Sequence, residues 1–178
     1  MLTKRVFIAV DLPENVKAIL KNIQKPEVRW IKWMKPDNFH ITLIFLGDVD
    51  EEQIDAAKKI LAETISFTEP FSLKLGQLHK ERDMLWFLPE ENFELLNLQS
   101  HLQSTFRKER LAKRERRHYS PHVLLGKSKT GRAMENNVTN EFQPFDFRIE
   151  RINLYESELT PGAATHILLE SFPLAGSA

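Results

Sequence analysis

Apolar positions recur along the chain in two rhythms, one of strands and one of helices. Val6 to Val10 is a continuous apolar run of strand length, as expected of a strand buried on both faces. Leu12-Pro13-Glu14 then opens a helix, with Pro near the first helical position and an acid in the first turn. Val16, Ile19, Leu20 and Ile23 follow at i, i+3, i+4 and i+7, and Pro26 closes the stripe. Trp30 to Met34 leads through Lys35-Pro36-Asp37 into Asn38 to Leu46, a β-branched and aromatic strand predicted to stop at Gly47-Asp48. After an acidic helix start, Ile54, Ala57 and Leu61 mark a second buried helix face, ended by Glu69-Pro70.

The second half repeats this grammar. Phe71, Leu73 and Leu75 alternate with polar residues, a turn falls near Glu81-Arg82-Asp83, and Met84 to Leu88 forms a further strand. Leu95, Leu98, Leu102 and Phe106 share one face of a third helix. Pro121 to Leu125, Phe145 to Ile149, Arg151 to Tyr155 and Thr165 to Leu169 complete the strands, with a polar loop from Ser128 to Asn140 and turn chemistry at Thr160-Pro161-Gly162. The alternation predicts one α+β domain over residues 1–178 with mainly antiparallel sheets. Leu12-Pro13-Glu14-Asn15 and Leu88-Pro89-Glu90-Glu91-Asn92 occupy matching places, each between an apolar strand and an amphipathic helix. A histidine strand follows each: His40 lies 27 residues after Pro13, and His122 lies 33 after Pro89. This internal similarity predicts two related strand–helix–strand lobes, each supplying one histidine.

Composition narrows the chemistry. Among 178 residues there is no cysteine, which removes disulfides, thiolate nucleophiles and Cys-ligated zinc and fits a cytoplasmic setting. The 25 basic and 25 acidic residues balance, so a nucleic-acid partner must be held by a local patch. Basic residues precede the apolar run at Val6, but that run is too short for a secretory leader and is closed by Asp11 and Pro13. No apolar run reaches the roughly 20 residues of a membrane span, and no membrane partner is expected.

Side chains alternate across a strand, so His40 and Thr42 share a face opposite Ile41 and Leu43. Pro121-His122-Val123-Leu124-Leu125 is a partial second copy. With an ordinary pKa near 6.5, one imidazole can act as base while another, protonated, acts as acid. Phosphodiester hydrolysis needs both roles and, with two histidines across a cleft, no metal. The bland alternative is two core histidines bonded to backbone. Arg107 to Arg117 holds seven Lys or Arg against two Glu; it is either a solvated helix end or a track for RNA phosphates. His118 and His122 have a zinc-compatible helical spacing, but Pro121 and the strand pattern argue against it. His79, His101 and His166 have no local partner in sequence and are read as surface or core residues. Trp33 is read as a core or lobe-interface aromatic, with base stacking the alternative.

The run Trp33 to Leu43 with Phe45-Leu46-Gly47 resembles the first His-x-Thr-x motif of the 2H phosphoesterases, nearest to the RNA 2′,3′-cyclic 3′-phosphodiesterases, also called 2′-5′ RNA ligases. Pro121 to Leu125 is similar to their second motif, Val6 to Pro13 to their opening strand, and Leu154 to Leu159 with Phe172-Pro173-Leu174 to their final strands. The resemblance implies two pseudo-symmetric lobes of mainly antiparallel sheet with flanking helices and an active-site cleft between them. It further implies that His40 protonates the leaving ribose oxygen and His122 accepts a proton from water. The product would be an RNA 2′-phosphate, with ligation as the reverse reaction, and the protein would act as a monomer without metal or cofactor. The partner would be RNA or a nucleotide ending in 2′,3′-cyclic phosphate, and Thr42 would bind its phosphoryl group.

One position departs from the pattern: the second motif carries a hydroxyl two residues after its histidine, where this chain has Leu124. Backbone N–H groups or Lys127, which stands where relatives have Arg, are expected to compensate. The odd spacing of Lys127 from His122 requires a bulge or strand end to bring it to the cleft. Two other classes of function stay open on sequence alone, a non-catalytic RNA-end-binding module and a metal-dependent phosphohydrolase. The first rests on Leu124; the second lacks a clustered carboxylate–histidine ligand set.

Overall fold

A computed structural model describes residues 2–113, 117–160 and 163–176. The turn at Thr160-Pro161-Gly162 falls partly outside the described residues, as do positions 114–116 of the basic run. The chain runs β1 (Lys4–Asp11), α1 (Glu14–Ile23), β2 (Ile31–Trp33), a 3₁₀ turn (Pro36–Asn38), β3 (His40–Val49), α2 (Glu51–Ile65), β4 (Phe71–Glu81) and β5 (Met84–Pro89). It continues through α3 (Phe93–Lys108), β6 (Val123–Ser128), β7 (Phe145–Ile149), β8 (Arg151–Thr160) and β9 (Ala163–Pro173). The predicted stripes are the buried faces: Val16, Leu20 and Ile23 in α1, Ile54, Ala57 and Leu61 in α2, and Leu95, Leu98, Leu102 and Phe106 in α3. Asp50 and Gln53 form a reciprocal capping box at the start of α2, and Asn92 accepts from the Leu95 amide at α3. Both satisfy amides that a helix start leaves unpaired.

The strands form two antiparallel sheets, ordered β3-β1-β8-β9 and β2-β6-β5-β4-β7. If β2 is set aside, the orders correspond: β1 and β5 each precede a helix and pair with the strand that carries the next histidine motif. The lobes are not the two halves of the chain, however. The C-terminal β8 and β9 complete the His40 sheet, and the early β2 joins β6 in the other. β1 is central, with Val6, Ile8 and Val10 without exposure and packed in one apolar cluster with the helix stripes.

Two expectations about β3 need correction. Pro36-Asp37-Asn38 is a 3₁₀ turn, with the Phe39 amide bonded to the Pro36 carbonyl, so the strand begins at His40 and not at Asn38. Nor does it stop at Gly47: the residue takes φ +83°, accessible to glycine, beside a register shift, and pairing continues to Val49.

The end of α1 is tied to the second sheet. Gln24 is buried, and its amide donates to the carbonyls of Met34 (2.8 Å) and Leu125 (3.1 Å). The Met34 amide also reaches the Leu125 carbonyl, so this knot fixes β2 against β6 immediately below the cleft. Gln24→Leu would leave the Met34 carbonyl without that donor. The expected cost is ~1–3 kcal/mol, the usual penalty for an unsatisfied buried acceptor, read as a lower urea midpoint at unchanged m-value.

Candidate active site

Strand register decides which side chains meet. In β3, Leu43 is an extra residue between the pairs Ala9–Thr42 and Ile8–Ile44. The bulge turns Phe45 onto the face already occupied by His40 and Thr42. Phe7 is opposite Phe45 on that face and also opposite Tyr155 of β8, against which its ring stacks at 5.4 Å. Two residues along β8, Ser157 is opposite His166 of β9. His166, expected from sequence at the surface or in the core, instead stands in the wall of the cleft, its ring 4.9 Å from those of Phe7 and His40.

Between the sheets lies a cavity of about 570 Å³, within the range of small-ligand sites. His40, Thr42 and His166 face it from one sheet, and His122, Leu124 and Trp33 from the other. Trp33 is therefore at the lobe interface, lining the cavity. Three cations, Arg5, Lys32 and Lys35, and one acid, Asp37, also line it, so the walls suit an anion.

Both candidate histidines are held by the same local device. His40 Nδ1 is 2.8 Å from the Asn38 carbonyl, and His122 Nδ1 is 2.9 Å from the Ser120 carbonyl, each two residues upstream. A carbonyl only accepts, so Nδ1 carries the proton and donates in both rings, leaving Nε2 as the reactive nitrogen. Asn38 is anchored in turn, its side-chain amide donating to the Ala164 carbonyl of β9 at 2.9 Å. The Thr42 hydroxyl lies 3.0 Å from His40 Nε2 and donates to it when the ring is neutral. Across the cleft, the Tyr119 hydroxyl donates to the Thr42 carbonyl at 3.0 Å, linking the approach to the second motif with the strand of the first.

Electrostatically the two rings differ. Burial, then the neighbouring His166, push His40 down from 6.5 to about 4; the Asn38 bond opposes this, and His122 adds to the lowering. His122 is also lowered, by burial, against the Ser120 bond. It stacks face to face on Trp86, centroids 3.9 Å apart and planes 13° apart. Leu124 shares this face, opposite Trp86 across the β5–β6 ladder, so the missing hydroxyl is replaced by an apolar wall.

Lys127 is on the cleft-side face of β6 but beyond the cavity. The bulge its spacing requires is present, Leu125 being the extra residue between the pairs Trp86–Leu124 and Leu85–Gly126. Lys127 is opposite Lys32, which lines the cavity, but does not line it itself; its ammonium lies 3.8 Å from Asp83. His79, His101 and His118 are not among the cavity's lining residues, and His79 pairs with Glu81. Among the described residues, no group of three or more His, Asp or Glu is arranged to hold a metal ion, and no helix is long and apolar enough to cross a membrane.

A family model described as the 2′-5′ RNA ligase superfamily matches residues 31–161, a span that includes both histidine motifs. The chain belongs to this superfamily. Relatives include proteins named RNA 2′,3′-cyclic phosphodiesterase from Bacillus subtilis (strain 168) and Methanothermobacter thermautotrophicus. The first is 32% identical over 166 residues, covering 86% of this chain and 87% of the relative. The second is 30% identical over 183 residues, covering 96% and 98%. The likeness in fold extends to solved structures. A Thermus thermophilus protein matches with TM-score 0.81 at 24% identity, covering 98% of this chain and 100% of the other. E. coli LigT complexed with 3′-AMP matches with TM-score 0.80 at 21% identity, covering 97% and 98%. These two likenesses establish the shared α+β fold of two antiparallel sheets.

The depressed His40 has a consequence for stability. Unfolding restores a pKa near 6.5, so between pH 6.5 and about 4 the unfolded chain binds a proton that the folded chain refuses. Stability from this group is therefore present above pH 6.5 and lost as pH falls, by at most about 3 kcal/mol. His40→Gln, which cannot titrate, is expected to lose about 2 kcal/mol less than the parent between pH 7 and pH 4.5 in urea unfolding.

Proposed function

We propose that the protein hydrolyses RNA ends carrying a 2′,3′-cyclic phosphate to 2′-phosphomonoesters, with His40 and His122 as the acid–base pair. The observation that carries this reading is two imidazoles from opposite sheets, each with Nδ1 fixed to its own backbone, lining one cation-rimmed cavity. The names of its relatives and the 3′-AMP bound by E. coli LigT support a nucleotide occupant.

The steps follow from the geometry and the family's pattern. His122 Nε2 takes a proton from water as the water oxygen bonds to phosphorus. The P–O3′ bond breaks, and the 3′ oxygen takes the proton of His40 Nε2, giving a 3′-hydroxyl and a 2′-phosphate. Proton exchange with solvent resets the pair. His40 is neutral at pH 7 in the free protein, so the anionic phosphodiester must draw its proton in: a negative charge beside the ring favours imidazolium. Thr42 then turns its hydroxyl from His40 to a phosphoryl oxygen. Lys127 acts from the rim, through RNA phosphates beyond the reacting one. A 5′-hydroxyl in place of the water, giving its proton to His122 as O3′ takes the proton of His40, joins two ends through a 2′-5′ bond, and the return of that reaction cleaves them. Each acid or base contributes ~10² to 10⁴-fold, and donors to the phosphoryl oxygens supply more.

An oligonucleotide ending in 2′,3′-cyclic phosphate, incubated with and without chelator, tests this. Turnover should survive chelation and fall by at least ~10²-fold in both His40→Ala and His122→Ala. Binding without turnover would replace the enzyme by an end-binding module, and loss on chelation would point to a metal hydrolase. Leu124→Thr restores the absent hydroxyl beside His122. It is expected to raise turnover or tighten substrate several-fold; an unchanged kcat/KM would mean that the other donors already suffice.

A further inference from the structure

His122 and His40 carry the same backbone brace but sit on different surfaces. His40 meets Phe7 at a tilt of 37° and His166 edge-on at 76°. His122 lies flat on an indole. Register explains the contact: Trp86 of β5 is opposite Leu124, two residues after His122, so the indole projects on the cleft side beside the imidazole. The Ser120 bond fixes the ring within its plane and the indole fixes it perpendicular to that plane, leaving Nε2 one direction.

We propose that Trp86 is a positioning residue for His122, holding the ring in its reactive orientation and stabilising the imidazolium formed when His122 takes a proton. This rests on the reading of His122 as general base. The electron-rich indole face attracts a cation more than a neutral ring, so the stack opposes the burial that disfavours the charged form. Among the described residues, the titratable or charged groups that line the cavity with His122 are His40, His166, Arg5, Lys32, Lys35 and Asp37. His40 lies across the cleft, Lys32 lines it from β2, and Lys127 and its partner Asp83 stand toward the C-terminal end of β6. His79, opposite Trp86 on β4 and bonded to Glu81, lies one strand further away.

The test is an NMR titration of the His122 ring, assigned with His122→Asn, in the parent, Trp86→Leu and Trp86→Phe, together with pH profiles of kcat on the cyclic-phosphate oligonucleotide. Removing the face should lower the His122 midpoint by about 0.4–1.5 pH units, move the acid limb of kcat the same way and reduce kcat by about 2- to 30-fold. Phe, which keeps a smaller face, should lie between parent and Leu. A folded Leu variant with an unmoved His122 midpoint overturns the proposal. Should Leu fail to fold, a Phe midpoint below that of the parent supports it, and one equal or higher overturns it. Failure of the base assignment is seen separately, as turnover retained in His122→Ala while the titration still responds to Trp86.

Discussion

His40 and His122 are each bonded to the carbonyl two residues upstream, and the direction in which Nε2 meets the cavity depends on that constraint. An imidazole free to rotate offers either nitrogen and either tautomer. One tied through Nδ1–H to its own strand offers a single lone pair in a single direction. Because the partner is local backbone, the device needs only a bend before the strand. The 3₁₀ turn at Pro36–Asn38 supplies it for His40, and the Ser120-Pro121 segment for His122. Two related strand–helix–strand units can thus each hold an imidazole in a fixed orientation without a carboxylate to orient it.

Around this common device the lobes have diverged. The first surrounds its histidine with a layer of rings, Phe7, Tyr155 and His166, that excludes water and disfavours charge. The second keeps an apolar Leu124 and a flat indole. One ring is set to stay neutral until an anion arrives, and the other rests on a surface suited to a cation. Chemically identical groups are thereby held in unequal environments.

Much of this was legible in the sequence where the physics is local. Helix stripes, the period-two face shared by His40 and Thr42, and the location of Leu124 beside His122 all follow from side-chain direction along one element. What escaped is what pairing creates. Gly47 carries the signal of a strand end, yet serves a bulge, because the β1 partner strand continues past it. His166 has no local motif and enters the cleft only because β9 is opposite β8 and β8 opposite β1. Trp86 sits in an ordinary apolar strand, and its bearing on His122 depends on its place opposite Leu124 in the β5–β6 ladder. The odd spacing of Lys127 correctly demanded a bulge, but spacing alone could not show that the side chain would stand beside Asp83, outside the lining of the cavity.

The exchange of strands between the chain's ends has a temporal consequence. β1 and β3 emerge early from the ribosome, but the wall bearing His40 lacks half its strands until β8 and β9 follow. A nascent chain therefore carries both histidine motifs well before it can hold them in one cleft. Long-range pairing of this kind slows folding and leaves the edge of β1 open meanwhile. The cleft between the sheets is complete only once β8 and β9 have paired.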